Sequence, residues 1–179
     1  MPAGIAAFRG RTAFDARFFD EGVRVQGTRR RAGFELRWRP GPFGVQAEYA
    51  RASTERRGAG EGGADLAPFV VSGWYLAGTW VLTGEAKAEG LEEPARPLLR
   101  GGWGAVELAA RVEGLRFERA ESVAGNAVRA LTLGVNWYLN RWMKAQANVV
   151  RERLADPSQG PLPGCRSFWS QVVRLQLAL

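Results

Sequence analysis

The chain has 179 residues, of which 24% are charged and 46% hydrophobic, a balance suited to one folded domain or to a piece of a larger one and unlike a disordered segment. Its formal net charge is +7, from 25 Lys and Arg against 18 Asp and Glu, which admits nucleic acid, anionic lipid or small anions in a basic lumen as partners. With no His and one Cys (Cys165, in a Pro/Gly-rich loop), zinc fingers, disulfide frameworks and His-dependent triads have no basis here.

No window is apolar for long enough to be a transmembrane helix. Residues 1–11 lack a basic stretch followed by an apolar run, so no export signal is expected in the chain as given. Residues 3–9 give a weak strand. Residues 10–28, polar and punctuated by glycine, read as a long loop. Over 32–39, Phe34, Leu36 and Trp38 alternate with Glu35, Arg37 and Arg39. Pro40-Gly41-Pro42 is turn chemistry, and over 43–52 the row Phe43, Val45, Ala47, Tyr49 opposes Gly44, Gln46, Glu48. Two alternating runs across such a turn predict a hairpin.

Residues 53–67, glycine-rich and charged, predict a loop. The most regular stretch follows at 68–85, where Val70, Trp74, Leu76, Trp80 and Leu82 share one parity and Tyr75, Ala77, Thr79 and Thr83 the other, with Val81 as the exception. That is a strand with one apolar face, long for a globular protein and carrying a Trp near each end of that face. Residues 85–101 predict a loop. Over 103–111, Val106, Leu108 and Ala110, with Val112 just beyond, oppose Glu107, Ala109 and Arg111. Leu115 and Phe117 then have the wrong parity, and a β-bulge near Glu113-Gly114 is expected to restore the face. After a short loop at 119–126, residues 127–138 set Leu131, Leu133, Val135 and Trp137 against Thr132, Gly134 and Asn136. A turn at 139–141 leads to 142–151, with Met143, Ala145, Ala147 and Val149 against Lys144, Gln146 and Asn148. A Pro/Gly-rich loop then leads to the last strand, 168–179, with Trp169, Val173, Leu175 and Leu177 against Ser170, Arg174 and Gln176.

Alternation alone does not say which face meets lipid, because a soluble barrel also alternates. The aromatics favour lipid. Trp38, Phe43, Trp80, Trp103, Trp137 and Trp142 lie beside the turns at 40–42, 85–101 and 139–141. Tyr49, Trp74, Phe117 and Trp169 lie toward the other ends. Two aromatic belts on an apolar face mark the two membrane–water interfaces of a transmembrane barrel. The short turns then face the periplasm and the long loops the exterior, except that 85–101 is long and falls on the periplasmic side. The expected fold is all-β, an antiparallel up-and-down meander of about eight strands over a single segment, 1–179, forming part of a transmembrane barrel.

No catalytic constellation, metal-ligand set or cofactor motif is expected. The glycines of 57–63 lack the Lys-Ser/Thr ending and following helix of a phosphate-binding loop. Arg29-Arg30-Arg31 has no interleaved aromatic platform, so it reads as a solvated rim and no nucleic-acid partner is expected. On the polar parity Arg37, Arg39, Arg111, Lys144 and Arg174 outnumber Glu35, Glu48 and Glu107, which are the expected pore-lining charges. These carboxylates are expected to pair with Arg37 and Arg111.

Several blocks resemble the phosphate-selective porin O and P family. They are residues 34–39 with Gly41-Pro42-Phe43 and Gln46-Ala47-Glu48-Tyr49, then Gly73-Trp74-Tyr75 with Leu82-Thr83-Gly84-Glu85. They continue in Gly102-Trp103-Gly104-Ala105 with residues 107–111, and in 132–138. Their order is similar to the C-terminal half of that family over about 30–179, with 1–28 weakly matched. The resemblance implies a Gram-negative outer-membrane location, passive diffusion of small anions such as phosphate, contact with outer-membrane lipid, a homotrimer, and a full barrel of roughly sixteen strands, a size that leaves an aqueous channel. It also implies that the constriction loop and most substrate-selecting residues lie outside this chain, and Leu179 departs from the family's aromatic ending. The alternatives are an outer-membrane β-sheet without its own pore, or a soluble eight-stranded ligand-binding barrel.

Overall fold

The computed structural model describes residues 3–87, 93–121 and 123–177. In chain order its strands are β1 (Gly4–Arg11), β2 (Arg17–Val25), β3 (Arg29–Trp38), β4 (Phe43–Arg56), β5 (Leu66–Val81), β6 (Ala105–Phe117), β7 (Asn126–Tyr138), β8 (Met143–Leu154) and β9 (Ser167–Leu177). Strands β3 to β9 form one seven-stranded antiparallel sheet in sequence order, and β1 and β2 pair only with each other. The seven clear alternating runs of the sequence are the seven strands of the meander. The sheet is not closed, since β3 and β9 are its two edges.

Register fixes which side chains share a face. Glu35 stands opposite Glu48, Glu48 opposite Tyr75, and Tyr75 opposite Glu113. One face therefore collects the charged and amide side chains. The other collects Phe34, Leu36, Trp38, Leu76, Leu108, Leu131, Leu133, Val173 and Leu175, all exposed. An apolar surface of that extent is untenable in water and suits contact with lipid.

The core lies on the polar side. Phe18, Phe19, Val23 and Val25 of β2 pack with Phe69, Phe117, Val123, Val128 and Leu154 of the sheet and its loops. The Phe19 and Phe117 rings stack with centroids 4.1 Å apart, and Phe18 meets Phe117 edge-on at 6.0 Å. The hairpin thus lies against the inner face. Its strands meet through a tight turn in which the Thr12 N–H donates to the Ala16 carbonyl at 2.8 Å and Asp15 takes a positive φ of 64°. Asp is among the few non-glycine types that tolerate that conformation.

Three expectations change. Residues 10–28 are not a loop, because most of them form the hairpin. Glu21 interrupts the row Phe19, Val23, Val25, and the buried Phe18 lies on the other parity, so the alternation of β2 is hidden in the sequence. Residues 53–67 are loop only over 57–65, since β4 continues to Arg56. That side chain is 2% exposed, and its Nε and Nη1 donate to the Arg24 and Glu121 carbonyls at 3.2 and 3.1 Å. The bulge near Glu113-Gly114 is absent, since β6 pairs with β5 and β7 without a register shift. Leu115 and Phe117 keep the inner parity because the hairpin gives them an apolar partner there.

Truncating Phe117 to Ala removes the ring on which the hairpin rests and costs about 3–5 kcal/mol. Amide exchange in 4–25 should rise sharply while β7–β8 protection changes little. Uniform loss of protection across all strands would show that the hairpin is not separately held.

Candidate pore-lining face

The polar face is built as rows across the sheet, each row one residue per strand. One row runs Arg37, Gln46, Ala77, Arg111, Thr132 across β3 to β7. The next row toward the long loops runs Glu35, Glu48, Tyr75, Glu113, Ala130, Glu152. Toward the short turns, Glu107, Asn136, Gln146 and Arg174 form a row across β6 to β9. Successive rows on one face are two residues apart along every strand. Long side chains from one row reach the next.

Those reaches make the pairs. Arg37 Nη2 lies 3.3 Å from the Glu35 carboxylate. Arg111 donates from Nε to Glu113 at 2.8 Å, and its guanidinium sits 4.1 Å from the centre of the Tyr75 ring. Arg111 therefore answers Glu113 rather than Glu107, whose partner the sequence reading placed at Arg111 or Arg37. Glu48 stands directly across from Glu35, a like-charge contact that Arg37 relieves on one side.

Glu107 is buried, 1% exposed, and receives three donors. Lys87 pairs with it, the Tyr138 hydroxyl donates at 2.8 Å, and the Asn136 amide donates at 3.1 Å. Gln146 in turn donates to Asn136 at 2.6 Å. A buried carboxylate is tolerated when paired and hydrogen-bonded in this way. Lys87 comes from the long connection between β5 and β6 and also donates to the Thr79 hydroxyl at 2.9 Å. The connection is thus pinned to the inner face at Lys87. A side chain at position 44 would crowd this contact, since its Cβ would fall 2.7 Å from Thr79 Oγ1.

Lys144 lies with its ammonium 4.7 Å from the centre of the Tyr138 ring, and Arg174 stands opposite Gln146. Arg39 lies just past β3, partly buried. The hairpin turn lies over the polar face. A cleft of about 430 Å³ separates it from the sheet, with Arg11, Glu48, Tyr75, Arg111, Glu113 and Glu152 on its walls. The Ala13 N–H donates to Glu152 Oε1 at 2.9 Å, tying the turn across to β8. The sequence reading missed Lys87, Glu113 and Glu152. Glu113 was legible, because it shares the parity of Arg111, but the supposed bulge removed it from the face. Lys87 carried no signal beyond its place in a Gly/Pro-rich loop.

Of the aromatics, Trp38, Phe43, Trp80, Trp103, Trp137 and Trp142 are exposed beside the short-turn end, and Tyr49, Trp74 and Trp169 are exposed toward the other. Phe43 and Trp80 stack at 6.0 Å, and the Trp137 indole N–H donates to the Trp103 carbonyl at 2.7 Å. Phe117 is the correction. It is 4% exposed, on the opposite face, and belongs to the core under the hairpin.

Comparison with known proteins agrees with this architecture. The family described as phosphate-selective porin O and P matches residues 11–177, taking in β2 as well as the whole meander. Porin O of Pseudomonas aeruginosa is 31% identical over 136 residues, which cover 68% of this chain and 29% of that relative's length. The chain belongs to the phosphate-selective porin O and P family of the outer membrane.

Proposed function

We propose that the polar face lines part of a water-filled path for passive diffusion of small anions, phosphate among them, and that the protein is a channel rather than an enzyme. One observation carries this reading. Lys144 and Arg174 stand on that face beside Asn136, Gln146 and Asn148, and the nearby carboxylate of Glu107 is already paired with Lys87, while the opposite face is apolar and exposed. A charge at the bilayer midplane costs about 2–4 kcal/mol, so these cations belong with water. Cations in a narrow aqueous lumen raise the local anion concentration, and contacts that are weak and repeated favour passage over trapping. The family's name and the relative's name support a porin, and the family's name alone points to phosphate.

The hairpin and the β5–β6 connection support the reading too. The hairpin lies on the polar face and Lys87 of the connection reaches onto it, so both narrow the space in front of it. Arg11 and Arg111 lie on the walls of that narrowing, but each is answered by a carboxylate, Asp15 at 2.6 Å and Glu113 at 2.5 Å. Selectivity should therefore depend more on Lys144 and Arg174 than on Arg111. In the full barrel, K144Q/R174Q should reduce the chloride-over-potassium reversal potential clearly, and R111Q much less. Equal, undiminished selectivity in all three proteins would remove this face from the anion path.

The free edges at β3 and β9 favour a second statement. Seven strands with unpaired edges leave backbone N–H and C=O groups without partners, which a hydrocarbon interior does not tolerate. Conduction then requires further strands beyond these seven. The 179-residue chain alone, reconstituted in planar bilayers, should give no stable unitary current steps. Long-lived steps of one size would show that the chain closes by itself.

A further inference from the structure

The outward faces of β6, β7 and β8 carry charge of one sign only among the described residues. At the long-loop end Arg116 of β6, Arg129 of β7 and Arg153 of β8 are exposed on the lipid side of the sheet. No Asp or Glu shares the outward parity of β6, β7 or β8. Arg129 stands directly opposite Arg153 in the register. Like charges so placed destabilise a sheet. Arg119 and Arg166 from the adjoining loops join them around a cleft of about 660 Å³. Among the described residues none of the five is in a salt bridge. Asp156 acts on Arg166 from a distance, but its carboxylate is held by the Ser158 N–H at 2.9 Å.

The cleft has an apolar lower wall. Gly114 faces Arg129 across the strands and has no side chain to fill the space between. The Trp74 ring lies over Gly114, so that a Cβ there would fall 2.7 Å from the indole nitrogen. Below that row come Leu76, Val112 and Leu131, with Arg151 opposite Leu131 and its guanidinium turned to the Trp169 ring, 5.5 Å from its centre. The arginines therefore sit at the border where the apolar band ends and the aromatic belt begins, on the side of the longer loops, which face the exterior in outer-membrane barrels.

We propose that this cleft binds the phosphate groups of a phosphorylated lipid headgroup in the outer leaflet, with its acyl chains against Leu76, Val112 and Leu131. Arginine is suited to this because its planar fork gives phosphate two parallel hydrogen bonds and keeps its charge at any working pH. A phosphate between Arg129 and Arg153 turns their mutual repulsion into a bridge. The anion path on the other face does not involve these residues, so this site and the conduction proposal stand or fall separately.

The test uses the protein purified from membranes and delipidated in detergent. Binding of bis-phosphorylated lipid A, dephosphorylated lipid A and inorganic phosphate is measured by native mass spectrometry and by tryptophan fluorescence. Bis-phosphorylated lipid A should bind at least roughly tenfold more tightly than its dephosphorylated form, and R129Q/R153Q should lose that difference while R129K/R153K keeps part of it. Equal binding of the two lipids overturns the proposal, and that comparison needs only the unaltered protein. Inorganic phosphate binding as tightly as the lipid overturns the lipid as its source.

Discussion

A hydrogen-bonded ladder unbroken from β3 to β9 is the constraint on which the rest depends. In hydrocarbon each unpaired backbone group costs several kcal/mol, so a chain crossing with strands must pair every one along its length. Continuous pairing fixes the register, and register fixes the faces. A slip of one residue would turn Trp74, Leu76 and Trp80 inward and Tyr75, Ala77 and Thr79 toward lipid. The long strands β4, β5, β6 and β7 tolerate no bulge within the apolar band for the same reason. The register shift in β4 lies at 54–56, near the long-loop end, beyond the exposed apolar rows.

Given that ladder, the inner face has freedom that the outer face lacks. It can carry charge, amide or phenyl groups, provided each finds a partner. Three solutions occur side by side. Arg37 and Arg111 take carboxylates from the neighbouring row. Glu107 is buried under Lys87, Tyr138 and Asn136. Phe117 is buried under Phe18 and Phe19. The last two hold the β5–β6 connection and the β1–β2 hairpin against the sheet. Segments placed outside the meander by topology are thereby part of its inner wall.

The meander was legible because lipid enforces period-two alternation on the outer face, and alternation survives in the sequence as residue type. The seven runs and most aromatic positions follow from that alone. What was not legible lay on the inner face, where no single residue type is demanded. Leu115 and Phe117 looked like a slipped outer face because an apolar residue inside a porin-like wall has a reason only when something apolar covers it. The cover, Phe18 and Phe19, sits in a stretch whose alternation is interrupted by Glu21 and by two adjacent buried phenylalanines. Lys87 was hidden likewise, since a lysine in a Gly/Pro-rich connection gives no sign that it folds back onto a carboxylate twenty residues away. Pairing between segments distant in sequence is set by tertiary packing, which local pattern does not carry.

The two faces also differ in how charge is balanced, and this follows from their surroundings. On the polar face Arg37, Lys87 and Arg111 are answered by carboxylates within the chain, while Lys144 and Arg174 on one side and Glu48 and Glu152 on the other are in no ion pair among the described residues. Outside, at the long-loop end, the arginines of β6, β7 and β8 have no carboxylate on their own face. An internal partner there would have to be an Asp or Glu at the lipid boundary, which would itself face the anionic headgroups of neighbouring lipids. Leaving the arginines unanswered by the chain lets the membrane supply the counter-charge. The same residue type thus sits in two electrostatic settings, among carboxylates and amides on the polar face and in a cluster without carboxylates on the outer face, separated only by the parity of the strand that carries it.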